Sequence, residues 1–195
     1  VAQAAPLRYA EDRAPAIVHP LYTTLMSEAR LNELVFEGLF ADDMELRATP
    51  RLAESFQLAE DRLSMTITVR GDATWHDGQP VTAADVVFTI DAMKDPANAS
   101  SEVGRVAWIA SAQAIDERTL QLTFEGEEYA PEDKLYFKIL PAHAFDGGTV
   151  QRTGTFRTQP VGSGPFALAS FNEDNSITLA KASGSSAQLP EVMMR

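Results

Sequence analysis

No cysteine occurs among the 195 residues. That absence excludes a disulfide framework, a thiol nucleophile and a thiolate metal site. Basic residues are scarce as well: 16 Lys and Arg stand against 28 Asp and Glu, for a net charge of −12. A nucleic-acid binder needs a basic face against the phosphates, so this balance argues against that class. Acidity otherwise says little, because many proteins use it to stay in solution. No apolar run reaches the roughly 18 residues that suggest a membrane span. The only histidines are His19, His76 and His143, and none pairs with another at helical or turn spacing. Neither a metal site nor a cofactor is expected.

What is present is enough apolar material, 45% of the chain, for one substantial domain or two small ones. Near the start, Ala2-Gln3-Ala4 matches the small-x-small pattern that precedes a signal-peptidase cut, although three small residues also occur together by chance.

Periodicity divides the chain into alternating strands and helices. Residues 6–10 read as a short strand, followed by a loop to Pro20. Leu31, Leu34, Val35 and Leu39 share one face at the helical period, which predicts a helix over 27–39 with Gly38 near its left-handed end. Leu63, Met65, Ile67 and Val69 alternate with polar residues, which predicts a strand over 63–70 with one buried face. Asp77-Gly78 is a turn dipeptide. Thr82 with Asp85 three residues on forms a capping box ahead of a helix whose apolar side is Val86, Val87, Ile90 and Met93 and which ends at Asp95-Pro96. Residues 109–115 and 119–124 read as two strands. Residues 129–145 suggest a short helix and turns, and 147–157 a loop. A hairpin over 166–171 and 176–181 turns at 172–175, and 192–194 begins a last strand. The pattern is α/β or α+β with a mixed sheet.

Candidate chemistry is sparse. Asp77 orienting His76 as a general base would make a hydrolase, but a base needs a nucleophile and none stands out. The competing reading packs and hydrogen-bonds His76 at the end of a hairpin. His19 is expected to face a cleft or, better, solvent, and His143 to serve local structure. Val161-Gly162-Ser163-Gly164-Pro165 lacks the spacing and the strand-to-helix context of a nucleophile elbow, and it matches no phosphate loop. It reads as a turn with bare backbone N–H groups, structural rather than cleft-lining. Glu11, Asp12 and Arg13 follow the first strand, where ligands tend to sit in open α/β sheets, but a solvated charged loop explains them equally. Trp108 and the aromatics of 129–137 are expected in the core.

Four segments, in order, resemble one family. They are Leu34-Val35-Phe36-Glu37-Gly38-Leu39-Phe40, residues 50–56 (Pro-Arg-Leu-Ala-Glu-Ser-Phe), Leu63 to Asp85 and Val161 to Phe166. The third matches almost position by position, with Trp75 where Phe is usual, and the fourth carries Ser163 and Phe166 as mild variants. Together they resemble the periplasmic and lipoprotein solute-binding proteins of the peptide and nickel ABC importers, solute-binding family 5. Each motif is moderately specific and the ordered set highly so.

The resemblance implies a type II periplasmic-binding-protein-like lobe, two lobes closing on a solute in the complete protein, and no enzymatic activity. Family members run to roughly 500 residues, beyond one domain's usual size, so this chain is expected to be an N-terminal piece of a longer protein, with the second lobe absent. The tail 183–188 departs from the family's aromatic pattern. Residues 1–44 would open the first lobe, 45–150 form an inserted subdomain, and 151–195 return to the first lobe. The solute-facing residues carried over are Glu11, Asp12, Arg13, Lys134 and Tyr136. The implied partners are a peptide or related small solute and the importer's permease subunits. The implied setting is the periplasm or the cell surface as a lipoprotein, and the implied state a monomer that binds no nucleic acid. On this reading the piece alone binds solute weakly or not at all. The alternatives are the His76/Asp77 hydrolase and a sensor or interaction lobe that has lost transport.

Overall fold

A computed structural model describes residues 5–145, 150–172, 174 and 176–195. The small-x-small segment Ala2-Gln3-Ala4, part of the 147–157 loop, and Glu173 and Asn175 of the last hairpin turn lie outside these residues. Two four-stranded sheets and two helices carry the fold. β1 (Leu7–Tyr9), β10 (Glu191–Met194), β9 (Ile177–Lys181) and β8 (Phe166–Phe171) form one sheet in that order. β1 runs parallel to β10 and the rest is antiparallel, so the sheet is mixed. β4 (Ala53–Leu58), β5 (Ser64–Val69), β7 (Thr119–Phe124) and β6 (Ile109–Ala114) form the second, all antiparallel. β2 (Phe40–Asp42) and β3 (Ala48–Pro50) pair as a separate two-stranded hairpin.

The alternation in β5 has the expected consequence. Met65, Ile67 and Val69 are fully buried, and Met65 and Ile67 lie opposite Leu122 and Leu120 of β7. α2 (Ala83–Lys94) covers this apolar face, packing on β6 and β7. Its start is fixed by Asp85, whose Oδ2 accepts the Thr82 N–H at 2.8 Å and the Thr82 hydroxyl at 3.0 Å. Val86, Ile90 and Met93 are buried as predicted, and Val87 is only half-buried.

α1 (Met26–Val35) ends four residues before the predicted Leu39. Phe36 is already extended, and Gly38 forms an isolated antiparallel bridge with Lys138. Tertiary hydrogen bonds displace the helical ones: Gly164 N–H donates to Val35 O at 2.8 Å and Ile139 N–H to Glu37 O at 3.0 Å. Gly38 is needed for close approach rather than for a left-handed cap, because a Cβ there would sit 2.7 Å from the Phe137 carbonyl oxygen. Leu63 falls outside β5 and is half-exposed. β2, β3 and β4 have no counterpart in the sequence reading. β4 buries only Ala53 at its first position and exposes the four that follow, so it offers no apolar alternation.

Candidate functional site

The segment that carries Tyr136 is held from both sides. Lys138 bridges to Gly38, Leu140 N–H donates to Thr89 Oγ1 at 2.9 Å, and Ala142 N–H donates to Asp85 Oδ1 at 2.8 Å. Asp85 therefore joins the start of α2 to this segment, and the Trp75 indole N–H also points at it, at 3.4 Å. Asp85 is itself buried, so its charge is accommodated by these donors.

Opposite Tyr136 stands Arg105, on a short 3-10 turn over Val103–Arg105. That turn is tied to the chain ahead of α1, because Ser101 N–H donates to Leu21 O at 3.1 Å and the Ser101 hydroxyl to Thr23 O at 3.2 Å. The Arg105 guanidinium pairs with Glu102 and lies 4.8 Å from the centre of the Tyr136 ring, within cation–π range. Between these groups and α1 is a hollow of about 110 Å³, lined by Thr23, Asn32, Glu33, Glu102, Arg105 and Tyr136 among others. Asn32 Nδ2 donates to Thr23 Oγ1 at 2.8 Å, while its Oδ1 is buried with no partner among the described residues. Lys138, also on the rim, pairs with Glu33 at 2.6 Å. Burial raises the Glu37 pKa above the ordinary carboxylate value, against the pull of Arg70, Arg51 and Lys138. The hollow thus offers an aromatic face and an arginine. A solute with both an apolar and a polar part would suit it.

A larger cavity, about 400 Å³, lies at the carboxyl ends of β1 and β10 between Tyr9, Met194 and Arg195. Beside it, Arg30 reaches from α1 to Tyr9 Oη at 2.9 Å and to Glu11 Oε1 at 2.7 Å.

The five residues singled out from the sequence are therefore scattered. Glu11 is engaged by Arg30, whereas Asp12 and Arg13 are exposed and make no side-chain hydrogen bond among the described residues. Lys134 pairs with Glu128 at 2.6 Å and stands 4.9 Å from the Trp108 ring centre, outside the hollow. Only Tyr136 lines it. Thr23, Asn32, Glu102 and Arg105 were missed. Asn32 left one signal: an amide between Leu31 and Val35, two apolar positions of the predicted helix face.

The expectation of core aromatics fails at Tyr129 and Tyr136, which are 72% and 43% exposed. Each lies under a guanidinium instead, Arg62 in the first case and Arg105 in the second. Trp108 is partly buried against Phe124.

All three histidines are structural, each in its own way. His76 Nδ1 accepts the Gly162 N–H at 3.3 Å, so its Nε2 carries the proton and donates to the Gly164 carbonyl at 2.9 Å. Among the described residues neither ring nitrogen meets a hydroxyl, and the His76–Asp77 pairing that a hydrolase needs is not formed. Asp77 bonds instead to His143 Nε2 at 2.7 Å, so His143 serves a long-range contact rather than local structure. Residues 161–165 form a strap over the end of α1, and two of their N–H groups are engaged rather than bare: Gly162 gives its own to His76 and Gly164 to Val35. His19 does not reach solvent. It is fully buried against Tyr22 and Phe156, its Nδ1 accepts the Leu21 N–H at 3.2 Å, and burial drives its pKa down to about 3. The reason is the buried 3-10 turn over Pro20–Tyr22, which His19 caps. Among the described residues no group of three His, Asp or Glu side chains is placed to hold a metal, and no helix is long and apolar enough to cross a membrane.

Comparison with known proteins places this geometry in context. The family described as bacterial extracellular solute-binding proteins, family 5 Middle, matches residues 47–184. The glutathione-binding protein GsiB of Escherichia coli is 30% identical over 153 residues, which are 76% of this chain and 29% of that protein. Among solved structures, NikZ from Campylobacter jejuni, in complex with Ni(L-His), superposes with a TM-score of 0.87 at 26% identity, over 97% of this chain and 38% of NikZ. MoaA from A. tumefaciens R10, in complex with mannopinic acid, gives 0.87 at 26% identity, over the whole of this chain and 41% of MoaA. This chain thus spans about a quarter of the length of the curated relatives it matches, 25% in Brucella ovis and 29% in GsiB. The fold is that of a type II periplasmic binding protein.

Proposed function

We propose, on the premise that this chain belongs to the bacterial extracellular solute-binding proteins of family 5, that it supplies one wall of a solute cleft in a protein that captures a peptide or related small solute. That protein delivers the solute to the permease of an ABC importer outside the cytoplasmic membrane, in the periplasm or as a surface lipoprotein. It works as a monomer, does no covalent chemistry and engages no nucleic acid. Residues 1–44 open the solute-facing part of the first lobe, 151–195 return to that lobe, and 45–150 form an inserted subdomain that adds Tyr136 and Arg105 to the wall.

The observation that carries the reading is the hollow beside α1, where the Tyr136 ring and the Arg105 guanidinium meet. The Tyr136 ring packs on the solute's apolar part, and Arg105 attracts a carboxylate. Relatives that bind glutathione, a nickel–histidine complex and mannopinic acid all take small solutes with polar groups to be matched. Glu11, Asp12, Arg13 and Lys134 belong to the rim of the cleft on this reading. This stretch alone makes half the contacts, so it binds weakly.

Titration calorimetry on the full-length protein tests this, with di- and oligopeptides, glutathione and a nickel–histidine complex as the panel. The expected result is binding of at least one compound, weakened tenfold or more by Tyr136→Ala and by Arg105→Ala. Tight binding by residues 1–195 alone, or binding indifferent to both substitutions, would overturn the assignment.

A further inference from the structure

Within residues 1–195, the turn that joins β2 to β3 leaves two large apolar side chains uncovered. Met44 is 97% exposed and Leu46 81%. Single exposed apolar residues are ordinary, but these two sit on one rigid turn. Asp43 Oδ1 accepts the N–H groups of both Glu45 and Arg47 at 2.9 Å, and Asp43 N–H donates to Arg47 O at 3.0 Å. Arg47 closes the turn from outside, on Asp43 at 3.1 Å and on Glu45 at 3.0 Å. Leu46 has a φ of +59°, a left-handed conformation that branched side chains rarely adopt and glycine takes freely. The hairpin is anchored below by Phe40, buried against Phe56, and by the Thr49 hydroxyl on Ala41 O at 2.7 Å. A leucine where glycine would be unstrained, on a turn braced by Asp43 and Arg47, points to an interaction.

Charge selects the partner. Asp42, Asp43 and Glu45 surround the two apolar side chains, and Arg47 is the one cation among them. The chain as a whole carries −12. An anionic lipid surface repels such a knob, and a second copy would bring the same carboxylates face to face. We propose that Met44 and Leu46 form a docking knob that inserts into an apolar socket rimmed by Arg and Lys on the permease of the importer. The partner's identity rests on the function proposed above. The carboxylates orient the encounter and the apolar pair holds it.

The test uses the full-length protein and its importer in proteoliposomes. Solute-stimulated ATP hydrolysis is followed as the concentration of binding protein is raised. Met44→Ser with Leu46→Gly removes the knob, and the glycine relieves the left-handed strain, so the melting temperature and the solute Kd stay at their wild-type values. The expected result is a rise of tenfold or more in the half-saturating concentration, with the maximal rate kept. An unchanged half-saturating concentration overturns the knob and leaves solute capture standing. Failure of the wild-type protein to bind solute or stimulate hydrolysis removes the proposed function and the permease partner with it. Knob-dependent flotation with phosphatidylglycerol vesicles, or a knob-dependent dimer in sedimentation, would replace the permease with a membrane or a second copy and overturn the proposal.

Discussion

The imidazole Nε2 of His76 lies 2.9 Å from the carbonyl oxygen of Gly164, 88 residues away in sequence. His76 N–H also donates to Gly162 O at 2.7 Å, so the hairpin that turns at Asp77-Gly78 grips the 161–165 strap through both side chain and backbone. His76→Ala removes the two side-chain bonds and leaves the Gly162 N–H without its acceptor. The expected loss is about 2 kcal/mol, from one half-buried unsatisfied donor and a lost packing volume. Urea denaturation monitored by circular dichroism measures it, with no change in solute affinity expected.

Two glycines give opposite outcomes on replacement by alanine. A Cβ at Gly162 would lie 2.0 Å from the Val35 carbonyl oxygen, and no side chain can move to relieve a clash with backbone. Gly162→Ala is expected to cost more than about 3 kcal/mol or to abolish folding. Gly78 has φ +89° with open space around it, so Gly78→Ala pays only for the backbone conformation, about 1 kcal/mol. Paired thermal melts distinguish the two.

Acid should expose the buried histidine. His19 takes a proton at about 3 in the folded protein against the usual 6.5. Between those two values the unfolded chain binds the extra proton and the folded one does not. Stability is therefore fully retained above pH 6.5 and falls as the pH drops from 6.5 toward 3, by on the order of 5 kcal/mol across the whole window. His76, also depressed by burial, adds to the slope in the same direction. His19→Asn keeps an acceptor for the Leu21 N–H and loses the titration. Denaturation midpoints of both proteins from pH 7.5 to 4 should converge as the pH falls. Parallel curves would show that His19 does not titrate as described.

Asp85 is a further point of weakness. Replacement by alanine strands the Thr82 and Ala142 N–H groups and the Trp75 indole N–H. A loss of about 3 kcal/mol is expected, with a change in fluorescence as Trp75, 2% exposed in the native protein, loses its fixed surroundings. A spectrum and stability unchanged in Asp85→Ala would show that the carboxylate binds nothing of consequence.

Regular packing was legible in the sequence. The alternation of 63–70, the capping box at Thr82 and the last hairpin are local patterns, and the structure realises them as β5, α2 and the β8–β9 pair. The edge strand β4 was not, because it is mostly exposed and has no apolar period. The end of α1 was not either, because the bonds that stop it come from Gly164 and Ile139, more than 100 residues away. The hollow illustrates the same limit. Tyr136, Arg105 and Asn32 come from three unrelated segments, and each looks ordinary where it stands. The burial of His19 came from Phe145 and Phe156, two rings that no local pattern connects to it.

The parallel pairing of β1 with β10 sets an order on events. Leu7 meets Val192 and Tyr9 meets Met194, which closes a loop of roughly 180 residues and makes this among the most entropically expensive contacts in the chain. The β4–β7 sheet and α2 draw on residues 53–124 alone and have short loops to close. That half is expected to assemble first, leaving β1 a waiting strand until β10 is synthesised. During that interval Leu7 and Tyr9 offer an unpaired edge to any passing strand. A sheet that cannot close until β10 has emerged, long after β4–β7 and α2 are complete, is a delay built into the topology of this stretch.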